Sequence, residues 1–198
     1  LSISSYASTT LPFVLAAHRE STLLPLLDDA LDAATICTVA RRASVAQGRA
    51  LLGIWERSLS PAKSAGDLAA SPLLDFANLL RSSQSGTEHR DDLPPPVSAH
   101  LPPLFGAVCR AAGLDAQQTA FVYMLNHVKA LVSAAVRRGM FGPYQAQKIL
   151  ASQQVRDTVE AVVKREWDTP YYEAGQSVPV MDLWVGRHEM LYSRIFNS

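Results

Sequence analysis

His188-Glu189 is the pair in this chain that most resembles a piece of chemistry. In a zinc-protease helix, H-E-x-x-H sets two imidazoles one turn apart to hold the metal while the glutamate acts as base, but Tyr192 stands where the second histidine is required. His18, His89, His100 and His127 share no close ligand spacing, and no His-rich or Cys-rich tract exists, so no resident metal is expected. Asp28 and Asp32 lie one helical turn apart and could hold a hard cation weakly. The plainer reading is a solvated face near a helix start, where the helix dipole favours acids.

Other chemistries fare no better. No G-x-x-x-x-G-K-[ST] loop and no G-x-G-x-x-G are present, so the chain is not expected to hydrolyse GTP itself. Ser44, Ser133 and Ser193 lack a G-x-S-x-G elbow, and no placed His and acid pair marks a triad. Arg41-Arg42-Ala43-Ser44 resembles a basophilic kinase site, yet it falls in a predicted helix, whereas a kinase needs an extended segment. Asn126, Ser133 and Arg137 make a polar line along another helix, either solvated or a subunit contact. Arg194, among apolar neighbours near the C-terminus, could clamp carbonyls or a carboxylate, or be merely solvated. No catalytic constellation emerges, and no cofactor is expected.

Composition narrows the class. The 18 basic residues balance the 18 acidic ones, which argues against a nucleic-acid binder and leaves protein partners open. Alanine and leucine dominate while β-branched and aromatic residues are sparse, which favours packed helices. Cys37 and Cys109 each fall inside an apolar helical pattern and read as buried, reduced thiols, suiting a reducing, cytoplasmic setting. No run is expected to cross a membrane, and no signal peptide is visible.

The elements follow from periodicity. Thr9 or Thr10 is expected to cap a first helix with Pro12 in its first turn, and a second helix starts near Pro25. A third carries Val39, Ala43, Ala46, Ala50, Leu51 and Ile54 at helical spacing. Its small residues Ala43, Ala46, Gly48 and Ala50, beside Gln47 and flanked by Arg41, Arg42 and Arg49, would let another helix approach closely. Residues 58–71 read as a connection, 72–80 as a short helix, and 81–99 as an exposed Pro/Ser-rich loop. Asp115 with Gln118 makes a capping box for a long helix with Phe121, Leu125, Val128, Val132 and Ala135, stopped at Gly139. Further helices are expected from Tyr144 and from Gln154, then a loop over 169–179 and a terminal helix. Leu183, Trp184, Met190, Leu191, Tyr192, Ile195 and Phe196 are too much apolar surface to leave in water, so the tail is expected to dock on its own domain or a partner.

Four blocks in order resemble the urease accessory protein UreF family: VARRASVAQGRALL (39–52), HLPPLFGAVCRAAG (100–113), VSAAVRRGMFGPYQAQ (132–147) and HEMLYSRIFNS (188–198). The family's N-terminal Pro-Thr-Gly-Gly motif is absent and the first residue is Leu1, so the chain reads as a fragment starting just after it. The resemblance implies an all-α, single-domain helical bundle over 1–198. It implies a homodimer that joins a UreD/UreH-type accessory protein and the GTPase UreG and delivers nickel, as cargo, to apo-urease. Leu191, Tyr192, Ser193, Arg194, Ile195 and Phe196 are then the expected partner-binding tail. Arg41, Arg42, Ala43, Ala46, Gln47, Gly48, Ser133 and Arg137 are the expected helix-packing or subunit contacts. The rivals are a generic helical scaffold, and a small metal-dependent or hydrolytic helical enzyme whose ligand or triad cluster forms only on folding.

Overall fold

The computed structural model describes residues 2–59, 71–85, 97–175 and 187–190. They form eight α-helices: α1 (Ser2–Arg19), α2 (Leu24–Ala34), α3 (Thr38–Ile54), α4 (Ser71–Ser85), α5 (Leu101–Ala111), α6 (Ala116–Arg137), α7 (Pro143–Leu150) and α8 (Gln153–Glu166). No strand occurs among the described residues, and the bundle is all-α as the periodicities require.

The first helix starts earlier than the sequence suggests. Thr9 and Thr10 are interior, and their hydroxyls donate to the carbonyls of Ser5 and Tyr6 inside the same helix, at 2.8 and 2.7 Å, instead of capping it. Pro12 therefore sits mid-helix, where it cannot donate to the Ser8 carbonyl one turn back. The Gly175 N–H supplies that missing donor at 3.2 Å, so the far end of the chain satisfies the break that proline makes. At the other end of α1, Arg110 donates to the carbonyls of His18 and Arg19, two of the acceptors a helix terminus leaves open.

Two main cores result, with α1 and α5 between them. One gathers Leu11, Val14, Leu15, Met124, Val128, Val159 and Val163 from α1, α6 and α8. The other gathers Leu24, Leu52, Trp55, Leu73, Phe76 and Leu104 from α2, α3 and the Trp55–Leu59 segment after it, α4 and α5. A third, smaller cluster of Phe13, Ala17, Leu27 and Leu31 joins α1 to α2. Each large side chain fully buried in this way contributes roughly 1.5–3 kcal/mol relative to exposure.

Helix α6 bears out the capping box, since Asp115 accepts from Gln118 N while the Gln118 side chain accepts from Asp115 N. It ends at Gly139, whose φ of +70° is the left-handed stop that glycine supplies at little cost. By length and composition α6 could cross a membrane, contrary to the sequence expectation. Its inner face, Ala120, Tyr123, Met124, Val128 and Val132, instead packs in the first core, so it is a bundle helix with an apolar outer side. The 81–99 loop is likewise corrected at both ends: α4 runs on to Ser85, and residues 97–100 are buried. Residues 86–96 lie outside the described residues.

Where α1 crosses α5 the backbones touch. A Cβ built on Gly106 would lie 2.1 Å from the Val14 carbonyl oxygen, so no side chain fits there. Gly106→Val is therefore expected to force the two helices apart and lower stability by about 3 kcal/mol, the upper end of ordinary overpacking, read as a lower urea midpoint. An unchanged midpoint would show that the crossing can open freely.

Candidate functional site

The polar centre of the molecule lies where α2, α3 and the entry to α5 meet. Asp28, on the inner face of α2 and 1% exposed, accepts three backbone N–H groups in a row, from Ser98 (2.6 Å), Ala99 (3.0 Å) and His100 (2.6 Å). The curl that aims those donors at one carboxylate requires Ala99 to adopt φ +74°, a costly conformation for a residue with a side chain.

One turn along α2, Asp32 holds two partners. Arg41 of α3 grips it with two parallel hydrogen bonds, Nε to Oδ1 at 2.5 Å and Nη2 to Oδ2 at 2.8 Å, and His100 Nε2 lies 2.8 Å from Oδ1. His100 Nδ1 is 3.0 Å from Ser44 Oγ, and the Leu101 N–H donates to that same oxygen at 3.3 Å. The network assigns the tautomer: Nε2–H donates to the carboxylate, and the Ser44 hydroxyl donates to Nδ1. Arg41 also reaches Ser98 Oγ at 3.1 Å, and Arg49 donates to the Ser98 carbonyl at 3.3 Å. No buried side-chain polar atom among the described residues lacks a partner, so the clasp is fully satisfied.

The order Asp32–His100–Ser44 is the connectivity of a hydrolase triad, which sequence reasoning missed because the partners are 56 and 68 residues apart. Its surroundings are those of a structural tie. The His100 ring has no exposed surface, Arg41 occupies both oxygens of Asp32, and Ser44 Oγ already takes the Leu101 N–H. The donors at the start of α5 that could bind an oxyanion are spent on Asp28. The arrangement locks three elements together and offers no open reacting position. The solvated face read at Asp28 and Asp32 is thereby overturned, and the carboxylate oxygens that a weakly held cation would use are taken by protein donors.

The other sequence candidates scatter. Gly48 is buried against this clasp: a Cβ there would lie 2.1 Å from the Ala99 carbonyl oxygen and 2.8 Å from Leu101 N. The tight contact is thus with the chain entering α5, while Ala46, Gln47 and Ala50 are exposed and Ala43 is half-buried, so the small-residue face is not one continuous packed stripe within this chain. Arg41 belongs to the clasp, whereas Arg42 is exposed. Ser133 is half-buried and Arg137 exposed in the last turns of α6, outside the clasp. Cys109 is buried in α5 as expected, but Cys37 is half-buried and sits at the cap of α3, not within a helix. The tail residues Leu191, Tyr192, Ser193, Arg194, Ile195 and Phe196 lie outside the described residues. The signals that would have found the clasp are the long reach of Arg41 from α3 toward α2 and the histidine directly ahead of the Leu-Pro-Pro helix start.

Two concavities mark the surface, the first beside this centre and the second away from it. One, of about 590 Å³, is bordered by Thr10, Cys37, Ala43, Ser44, Gln47 and Pro102. The other is an apolar groove of about 990 Å³ between α6 and α8, floored by Phe121, Val122, Val163 and Trp167 and rimmed by Arg156, Glu160, Lys164 and Asp168.

The chain is an all-helical bundle with a fully hydrogen-bonded polar tie at its centre and exposed apolar side chains outside. The UreF family model matches residues 3–154. The chain is 33% identical over 198 residues to an uncharacterized urease accessory protein UreF-like of Schizosaccharomyces pombe, covering 100% of this chain and 79% of that protein. It is 30% identical to urease accessory protein F of Oryza sativa subsp. indica, covering 98% of this chain and 67% of that protein, and 28% identical to urease accessory protein F of Arabidopsis thaliana, covering 99% and 74%. The chain belongs to the UreF family.

Two expectations follow from the clasp. Partial burial pushes the Asp32 carboxyl up, but the hydrogen bonds from Arg41 and His100, with the charge of Arg41, outweigh it and hold its pKa below the ordinary carboxylate range. A carboxyl depressed on folding adds stability that is complete above the unfolded value, near pH 4, and is lost as pH falls through the folded value. Acid titration of the unfolding free energy should therefore show a falling limb below about pH 4 that Asp32→Asn flattens, with the variant less stable at pH 7. An identical acid limb in the variant would show that Asp32 is not coupled to folding. Gly48→Leu should clash with the Ala99–Leu101 backbone and cost at least about 1–3 kcal/mol, read as a lower melting temperature. An unchanged melting temperature would show that the α5 entry moves aside freely.

Proposed function

We propose that the chain is a non-catalytic accessory protein of urease maturation, acting in the cytoplasm as a homodimer that joins a UreD/UreH-type protein and a UreG-type GTPase to deliver nickel to apo-urease. Family membership across most of the chain is the observation that carries the role in urease maturation. In this reading nickel is cargo, GTP hydrolysis belongs to the partner GTPase, and the chain couples the nucleotide state of that GTPase to metal transfer.

The surface supports assembly. Val122 and Leu131 project from the outer side of α6, Met140 and Tyr144 at the α6–α7 corner are 74% and 92% exposed, and the α6–α8 groove adds Trp167. Exposed aromatic and methionine side chains are among those that recurrent protein contacts use. The 191–198 tail adds Leu191, Tyr192, Ile195 and Phe196, with Arg194 as a directional clamp.

Deleting residues 191–198 should abolish co-purification with the UreD-type partner and the GTPase while the circular dichroism of the bundle stays helical. Each large tail side chain covered by a partner is worth roughly 1.5–3 kcal/mol. Arg194→Ala should weaken recruitment with little change in melting temperature. Full co-purification and full rescue of urease activity by both variants would remove the tail from the assembly, and GTP turnover by the purified chain alone would contradict the non-catalytic reading.

A further inference from the structure

Outside the clasp, a thiol and an imidazole from distant parts of the chain meet beside a cavity. Cys37 Sγ lies 3.3 Å from His188 Nδ1, across 151 residues of sequence. Cys37 is the N-cap of α3, and the Ala40 N–H donates to its sulfur at 3.4 Å. Half-buried, it borders the cavity of about 590 Å³, where Tyr6, Thr10, Ile36, Gln47 and Pro102 are among the other lining residues and none of the lining residues is charged. Cys109 differs in each respect. It is 8% exposed inside α5, and burial pushes its thiol pKa up.

We infer that Cys37 is a covalent modification site: with His188 as base, its thiol exchanges with small uncharged disulfides that enter this cavity. Cys37 Sγ attacks one sulfur of the disulfide while His188 Nδ1 takes the thiol proton. A new S–S bond forms to Cys37 as the disulfide's own S–S bond breaks, and the second sulfur leaves as a thiolate that takes up the proton. Cys37 is oxidised and the leaving half is reduced, so the exchange needs no other reactant.

Three features combine to support this. An imidazole within hydrogen-bond reach of a thiol is the partner that makes it a nucleophile. The Ala40 N–H, in the first turn of α3, favours the negative charge that develops on sulfur, as helix N-termini do for anions. Reactive cysteines sit in such partly exposed surroundings, whereas buried ones are inert. The cavity falls within the size range that holds small molecules, and its uncharged lining offers no ion pair to a charged reactant. An adduct on Sγ also breaks the bond to Nδ1. The His188–Met190 turn then loses that tie to the start of α3, so modification is felt where the C-terminal tail departs. This goes beyond the proposed function, and its test needs no accessory partner.

The full chain, reduced, is treated with bis(hydroxyethyl) disulfide at neutral pH, quenched with acid at intervals and mapped by peptide mass spectrometry. Cys37 is expected to gain the hydroxyethylthio group at least about tenfold faster than Cys109, and Cys37→Ser should leave only the slow reaction. Cys109→Ser should not change the rate at Cys37. His188→Gln, whose amide still hydrogen-bonds but takes no proton, should slow Cys37 about tenfold or more while circular dichroism stays that of the parent. In the adduct, hydrogen exchange over 187–190 should rise with the bundle still helical. Equal rates at Cys37 and Cys109, a His188→Gln rate like the parent's, or unchanged exchange over 187–190 in the adduct would overturn the inference.

Discussion

The carboxylate of Asp28 and the three backbone N–H groups it accepts set the geometry on which the rest of the bundle depends. A carboxylate that is 1% exposed has given up nearly all its water, and only charge-assisted hydrogen bonds of good geometry offset that loss. Here they come from three consecutive residues, which bends the chain through the left-handed Ala99 and launches α5 in a defined direction. Helix α5 then carries contacts to α1, α2, α3 and α6, and its Gly106 lies against the α1 backbone. Removing the carboxylate would strand several buried donors at once, and each stranded donor costs about 1–3 kcal/mol.

The same interaction leaves the triad-like row of side chains without an open oxyanion site. Consecutive N–H groups around a left-handed residue form a concave anion site when they are open. In this chain Asp28 fills that site from within, and Ser44 takes the next N–H, of Leu101. An attacking serine would need a free oxyanion site and a base in contact with substrate. His100 has no exposed surface and Asp32 is already held by Arg41. What is catalytic grammar elsewhere is used here as a lock between α2, α3 and α5.

Much of the helical layout was legible because it rests on local chemistry. The Asp115 capping box, the Gly139 stop and the proline openings of α2 and α7 each act within a turn or two of chain, which is the range over which sequence patterns speak. The errors fall where a distant residue overrides a local rule. Pro12 reads as a helix start until Gly175 is seen to satisfy Ser8. Asp28 and Asp32 read as solvated acids until the 98–100 segment and Arg41 are folded over them. Residues 97–100 read as a loop because nothing in Val-Ser-Ala-His announces that its backbone donors meet one buried carboxylate.

The blocks that resemble the family divide between these two kinds of work. Residues 39–52 and 100–113 supply Arg41, Ser44, Gly48 and His100 to the interior clasp and Gly106 to the α1 crossing. Residues 132–147 bury Val132 and Ala146, lay Val136 and Phe141 against the first core, and put Arg137, Arg138, Met140 and Tyr144 at the surface. A protein that assembles with others gains affinity when its docking surface is ordered before the partner arrives, because less freedom is lost on binding. The clasp orders α5, α5 braces α1, and α1 packs against α6, whose outer side and following corner carry part of the exposed apolar surface. The polar centre thus has a mechanical consequence: through α5 and α1 it holds the outward-facing helix α6 in place.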